Sequence, residues 1–144
     1  MTVVHNTNTF RFLLTPDFVV PCGHAQLTAR AHPGATVVTV SGEIDATNAH
    51  CIGDYLSRYV SCGFPLVVDM TEVEFLGVQG LQALFALGAD CAKLHLDWAL
   101  AASHAVSRIL RVGDHAGDLP AVNSLNEALR RVKAPREHRL LPTG

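Results

Sequence analysis

Charge is what this chain has least of. Asp, Glu, Lys and Arg make up 17% of its 144 residues, and the net charge is −2 with His neutral. A chain this close to neutrality lacks the basic footprint that nucleic acid or an anionic membrane surface requires. Long apolar runs are missing too: nothing approaches the ~18 residues of a membrane-spanning helix. The opening MTVVHNTNTFRF has no basic stretch followed by an apolar one, the pattern of a secretory signal, so a cytoplasmic location is expected. The four cysteines, Cys22, Cys51, Cys62 and Cys91, include no CxxC pair. A structural zinc site needs paired ligands at short spacing, so no metal and no cofactor are expected. Four reduced thiols are the simplest reading of such a pattern in a cytosol. Cys51 and Cys62 share one expected helix, where they would stand about 16 Å apart, too far to bond. The eight histidines are scattered, and no nucleophile–base pair stands out. The chain therefore reads as a binding module and not an enzyme.

Apolar residues are plentiful, at 49%. A domain of about 150 residues buries roughly 68–70% of its unfolded surface, enough for a core without disulfides or metal. One domain is expected. Residues 1–24, with Pro16, Pro21 and Gly23, read as an irregular N-terminal arm holding at most a short strand over Phe10–Leu14. Two strands around the His32-Pro-Gly34 turn read as a hairpin ending at Ser41-Gly42. Ile52, Tyr55, Leu56, Tyr59 and Val60 then fall on one helical stripe, capped by Thr47 or Asn48 and stopped by Gly63 and Pro65. A buried strand over Pro65–Met70 and a loop over Glu72–Gly77 lead to a second helix, about Gln79–Lys93. Its expected buried stripe is Leu81, Leu84, Phe85, Gly88 and Ala92. A third core strand over Leu94–Ala101 precedes a helix capped by Ser103. A turn-rich link over Gly113–Pro120 precedes a last helix capped by Asn123 or Ser124. Strands alternating with helices predict an α/β fold: a mixed, mostly parallel sheet of about four to five strands with four helices. The domain spans 25–133, and a basic tail over 134–144 follows.

Three segments carry a resemblance. Gly42-Glu-Ile-Asp45-Ala-Thr47 follows a strand and opens a helix. Leu66-Val-Val-Asp69-Met-Thr-Glu-Val73-Glu-Phe75-Leu76-Gly-Val-Gln-Gly80-Leu81 comes next, and Leu119-Pro-Ala-Val-Asn-Ser-Leu-Asn-Glu-Ala-Leu129 closes the set. In this order and spacing they resemble the STAS family, the domain of bacterial anti-sigma-factor antagonists and of sulfate-transporter tails, over about residues 25–132. The resemblance implies a single STAS-like domain that binds an anti-sigma factor, a protein-kinase-like ATPase, and so regulates transcription. The alternative it allows is a STAS-type ligand sensor or a scaffold in a signalling complex. Homodimer formation is left open, and neither nucleic acid nor membrane is expected as a partner.

The chain departs from the family at one motif. Where relatives carry DSSG, with the first serine phosphorylated by the partner kinase, this sequence reads Gly77-Val78-Gln79-Gly80. Val78 occupies the phosphoserine position and has no hydroxyl, so the phospho-switch does not carry over. A Gly-x-x-Gly phosphate clamp is disfavoured: Tyr59–Ala92 holds no Lys, Arg or His but does hold Asp69, Glu72, Glu74 and Asp90. By itself such a motif is a tight turn. With the resemblance, Gly77, Val78, Gln79 and Gly80, continued by Gln82, Ala83 and Ala86 on the outer side of the second helix, become the expected partner face. Asp45 stands at the family's position beside this loop, and it reads equally well as an acid favoured by a helix N-terminus.

Overall fold

The computed structural model describes residues 19–114 and 116–133; the expected Phe10–Leu14 strand and the 134–144 tail lie outside them. In chain order the elements are β1 (Val19–Cys22), β2 (Ala25–His32), β3 (Ala35–Ile44), α1 (Ala49–Val60), β4 (Leu66–Leu76), α2 (Val78–Lys93), β5 (Trp98–Ala102), α3 (His104–Gly113), β6 (Ala121–Val122) and α4 (Leu125–Lys133). The six strands form one sheet in sequence order, β1-β2-β3-β4-β5-β6. The first three run antiparallel, and β3 to β6 are parallel. The fold is the expected α/β domain with a mixed sheet, and its strand count exceeds four to five. The two extra strands are the shortest, β1 at the end of the stretch read as an arm and the two-residue β6 inside the link. Neither is long enough to show an alternation of its own, and pairing with a neighbour defines both.

The hairpin forms where Pro33-Gly34 turns the chain, placing Leu27 opposite Val40 and Ala29 opposite Val38. Same-handed crossovers from β3 onward put α1, α2 and α3 on one face of the sheet. There Ile52, Tyr55 and Leu56 of α1, Leu84 and Leu87 of α2, and Val106 and Leu110 of α3 pack on Val38, Val40, Leu66, Val68 and Leu100. The opposite face holds a smaller core, where Ala128, Leu129 and Val132 of α4 cover Ala35, Val37, Val67, Ala99 and Ala101. Burying Leu129 and Val132 there contributes about 1.5–3 kcal/mol each. Leu66–Met70 is buried on both faces, which is why Leu66, Val67 and Val68 read as a continuous apolar run before Asp69.

Two boundaries and one helix face move relative to expectation; the third core strand starts at Trp98 and not Leu94, which caps the end of α2. The loop expected over Glu72–Gly77 is strand: β4 continues to Leu76 and stays paired with β3 as far as Ile44↔Leu76. The register shifts between Thr39 and Ser41 and again between Gly42 and Glu43, so irregular pairing carries the strand beyond the end of β5. The inner face of α2 is also turned from the expected stripe. Gly80, Leu84, Leu87 and Cys91 are buried, while Leu81, Phe85 and Gly88 are half-buried and Ala92 is exposed. The helix packs against α1 as well as the sheet, and this second contact turns its buried side.

The cysteines correct the expectation of four free thiols. Cys22, at the end of β1, is disulfide-bonded to Cys51 in the first turn of α1, with 6.2 Å between the Cα atoms. The two are 29 positions apart in sequence, and only the fold of the β1–β2 turn over the start of α1 brings them together. Cys62 and Cys91 are free, Cys91 deep in the core. Among the described residues no group of three or more His, Cys, Asp or Glu could hold a metal ion. No described helix is long and apolar enough to cross a membrane.

Candidate functional site

The carboxyl ends of β3 and β4 converge on one corner. The Gly77 amide donates to the Ile44 carbonyl at 2.8 Å, adding one rung beyond the ladder, and the Leu81 amide donates to the Gly77 carbonyl at 3.1 Å to start α2. Gly77 itself is extended, with φ −85° and ψ 178°, so any residue could take its conformation. Gly80 is the glycine that the geometry demands. A Cβ there would lie 2.5 Å from Leu76 Cδ1 and 2.7 Å from Ile44 Cγ2. The first turn of α2 therefore presses directly onto two core side chains. Gly80 is buried beneath the corner, so the close approach it allows is to the chain's own core and not to a partner.

With that turn pinned, Val78 faces outward, 66% exposed. Phe75 at the end of β4 is 50% exposed, and Val112 at the end of α3 is 71% exposed. Together with Leu81, Ile109 and Gly113 they line an open depression of about 530 Å³ whose lining is almost wholly apolar. Large apolar side chains scattered singly on a surface mean little, but several sharing one depression mark an interaction site. Gly113 is part of its construction, because its backbone lies against the Leu81 side chain. The one charged residue in the lining is Asp45. Its carboxylate accepts from the Thr47 amide at 2.9 Å and from the Thr47 hydroxyl. These two bonds, the hydroxyl first, hold the carboxyl below its ordinary range.

Asp45 is held from behind by a buried side chain. Asn48, at the N-cap position of α1, makes no side-chain bond to its own helix. Its Nδ2 donates to the Cys22 carbonyl at 2.9 Å and the Glu43 carbonyl at 2.8 Å, and its Oδ1 accepts from the Asp45 amide at 2.9 Å. One amide thus ties together β1, the end of β3 and the Asp45 turn. Ser103 does a similar task on the far side: its hydroxyl accepts from the Val106 amide as the cap of α3 and donates to the Val73 carbonyl.

A second, smaller groove of about 400 Å³ runs between α1 and α2. Ala49 and Gly53 face Ala83 and Ala86 across it, with His50, Asp54, Gln79 and Gln82 at its rims. His50 Nε2 and Asp54 Oδ2 stand 3.3 Å apart on the exposed side of α1. The residues expected at the partner face therefore divide. Asp45, Gly77, Val78 and Gln79 line the apolar depression; Gln79, Gln82, Ala83 and Ala86 line the groove; Gln79 is common to both, and Gly80 lines neither.

Phe75, Ile109 and Val112 were not among the expected site residues, although Val112 was legible as an apolar residue off the buried stripe of its helix. Glu72 and Glu74 line a different depression beside the β1–β2 turn, with Gly23, His24 and Gly42, so the acid that neighbours Val78 is Asp45.

Comparison with known proteins fits this architecture. The STAS domain profile matches residues 26–128. Osmosensory protein A of Mycobacterium tuberculosis is 37% identical over 114 residues, covering 76% of this chain and 72% of that protein. The anti-sigma-F factor antagonist RsfA of the same species is 27% identical over 118 residues, covering 78% of this chain and 92% of its own. A crystal structure of an anti-sigma factor antagonist from Mycobacterium paratuberculosis superposes with a TM-score of 0.69 at 30% identity, covering 84% of this chain and 99% of that one. On the profile match and these relatives, this chain belongs to the STAS domain family.

Proposed function

We propose that this protein is an anti-sigma-factor antagonist that acts by binding, without catalysis, to a kinase-type anti-sigma factor in order to regulate transcription. The observation that carries the reading is the apolar depression at the mouth of α2, where Phe75, Val78 and Val112 stand half or more exposed. Its position coincides with the loop that the family resemblance assigns to phosphorylation. Relatives named as antagonists, RsfA among them, support the partner class. The contact centres on Gly77, Val78 and Gln79, extends over Gln82, Ala83 and Ala86, and has Asp45 at its edge.

Val78 changes how such a contact is governed. A phosphoserine would add charge and strong acceptors at this mouth. Valine instead offers a permanent apolar contact, and covering a Val or Phe fully contributes about 1.5–3 kcal/mol. The antagonist is therefore constitutively competent at this loop. The test is to incubate the protein with purified kinase-type anti-sigma factors and ATP, measure complex formation, and map phosphate by mass spectrometry. A complex without phosphate in residues 77–80 is expected; absence of any complex with such factors would refute the reading.

A second reading, a STAS-type sensor or scaffold, is favoured by the 37% identity to a protein named for osmosensing. It differs in needing no kinase-like partner, so the same binding experiment separates the two.

A further inference from the structure

We propose that Cys22 and Cys51 form a thiol–disulfide exchange site whose redox state sets the order of the corner carrying Asp45 and the Gly77–Val78 loop. The proposal's consequence for binding rests on the reading of that corner as the partner face. The two sulfurs are unequally placed. Cys22 is 3% exposed beneath the β1–β2 turn, whereas Cys51 lies on the exposed side of the first turn of α1. The pair therefore offers one sulfur to solvent, and exposed disulfides are the labile ones.

The exchange is a two-electron reduction by a dithiol. A thiolate of the dithiol attacks Cys51 Sγ, forming a mixed disulfide and breaking the Cys22–Cys51 bond. Cys22 leaves as a thiolate and takes a proton released by the dithiol. The dithiol's second sulfur then attacks the mixed disulfide and expels Cys51, which is protonated in turn. The dithiol ends as a disulfide and the protein as two thiols. The reverse reaction with a small-molecule disulfide restores the bond.

The consequence follows from a short chain of contacts. Among the described residues β1 is a four-residue strand paired with β2 alone, and the disulfide is its covalent tie to α1. Its Cys22 carbonyl accepts from Asn48 Nδ2, while Asn48 Oδ1 accepts from the Asp45 amide. Ile44, one residue before Asp45, accepts from the Gly77 amide. When the bond opens, β1 frays, and Asn48 loses an acceptor for a buried donor, which leaves that group costly to keep in place. The Asp45 turn then loosens, and with it the rung that positions Gly77. The disulfide and the Asn48 network reach this corner independently of any partner.

The test uses the full-length protein. Alkylation after denaturation of protein equilibrated with oxidised glutathione should tag two thiols, and after dithiothreitol four. Amide exchange followed by NMR should then be at least ten-fold faster in the reduced form at Glu43, Asp45 and Gly77, and unchanged at Val67 and Val68 in the centre of the sheet. Cys51→Ser, at an exposed position, should show the reduced pattern without reductant. Four thiols in oxidised glutathione, or equal exchange in both forms, would overturn the proposal. Failure of the partner reading looks different: no anti-sigma factor binds in either redox state while the exchange difference persists.

Discussion

Replacing Gly80 by alanine adds a single methyl group to the first turn of α2, and the structure places that methyl 2.5 Å from Leu76 Cδ1 and 2.7 Å from Ile44 Cγ2. Both neighbours are 2% exposed, so neither has open space to move into. Leu76 can turn its terminal methyl, but Ile44 is β-branched and stiff at χ1. Overpacking of this kind costs about 1–3 kcal/mol. Against it stands the helical preference of alanine over glycine, up to about 1 kcal/mol. With the full offset the expected net loss is up to about 2 kcal/mol. Gly53→Ala is the control, because it makes the same change inside α1 where the new Cβ meets only Ala83 Cβ at 3.8 Å. That variant should gain about 0.5–1 kcal/mol. Urea unfolding followed by circular dichroism measures both. A Gly80→Ala protein as stable as Gly53→Ala would refute the claim that α2 is seated on Ile44.

Three further outcomes follow from named contacts. Asn48→Ala strands two carbonyls and the Asp45 amide near or in the core, and should lower stability by about 2–4 kcal/mol in the same urea assay; a loss under about 1 kcal/mol would contradict its central place. The Asp45 carboxyl is held low by Thr47. Its folded value lies below its unfolded one, so its stabilisation is complete above the ordinary carboxylate range and disappears only as pH falls through the folded value. NMR titration of the Thr47 amide should report this low midpoint, and Thr47→Val should raise it. The Cys91 thiol is pushed up to about 11 by burial, with Asp90 adding to it. Maleimide should therefore label Cys62 in the folded protein and Cys91 only on unfolding.

Periodicity made the centre of the fold legible. The Ile52–Val60 stripe, the caps at Ser103 and Ser124 and the apolar run at Leu66 all stand where their residues point. What escaped it is either too short to carry a period or defined by partners distant in sequence. β1 and β6 are too short to show alternation, and the bond from Cys22 to Cys51 depends on how a turn folds over a helix start. The continuation of β4 through Glu72-Val73-Glu74-Phe75 was written in its alternation but looked like a loop because charged residues recur in it. At the site, Val78 and Asp45 were legible from the motif. Gly80 had its residue type read correctly and its purpose misplaced: the close neighbour is Ile44, inside the molecule. Phe75 and Val112 come together at the carboxyl end of the sheet from β4 and α3, a juxtaposition that no local pattern contains.

The central claim is that the apolar mouth of α2 is where a kinase-type anti-sigma factor binds. Calorimetric titration of such a factor with the wild-type protein and with Val78→Asp tests it most directly, with circular dichroism as the fold control. Val78 is 66% exposed at a helix N-terminus, where an acid suits the dipole, so the variant should fold normally. In the complex its carboxylate would be desolvated among apolar groups, with Asp45 as a like-charged neighbour. The account predicts weaker binding by about 2 kcal/mol, roughly thirty-fold. A folded Val78→Asp that binds the factor as tightly as wild type would contradict it and place the interface elsewhere.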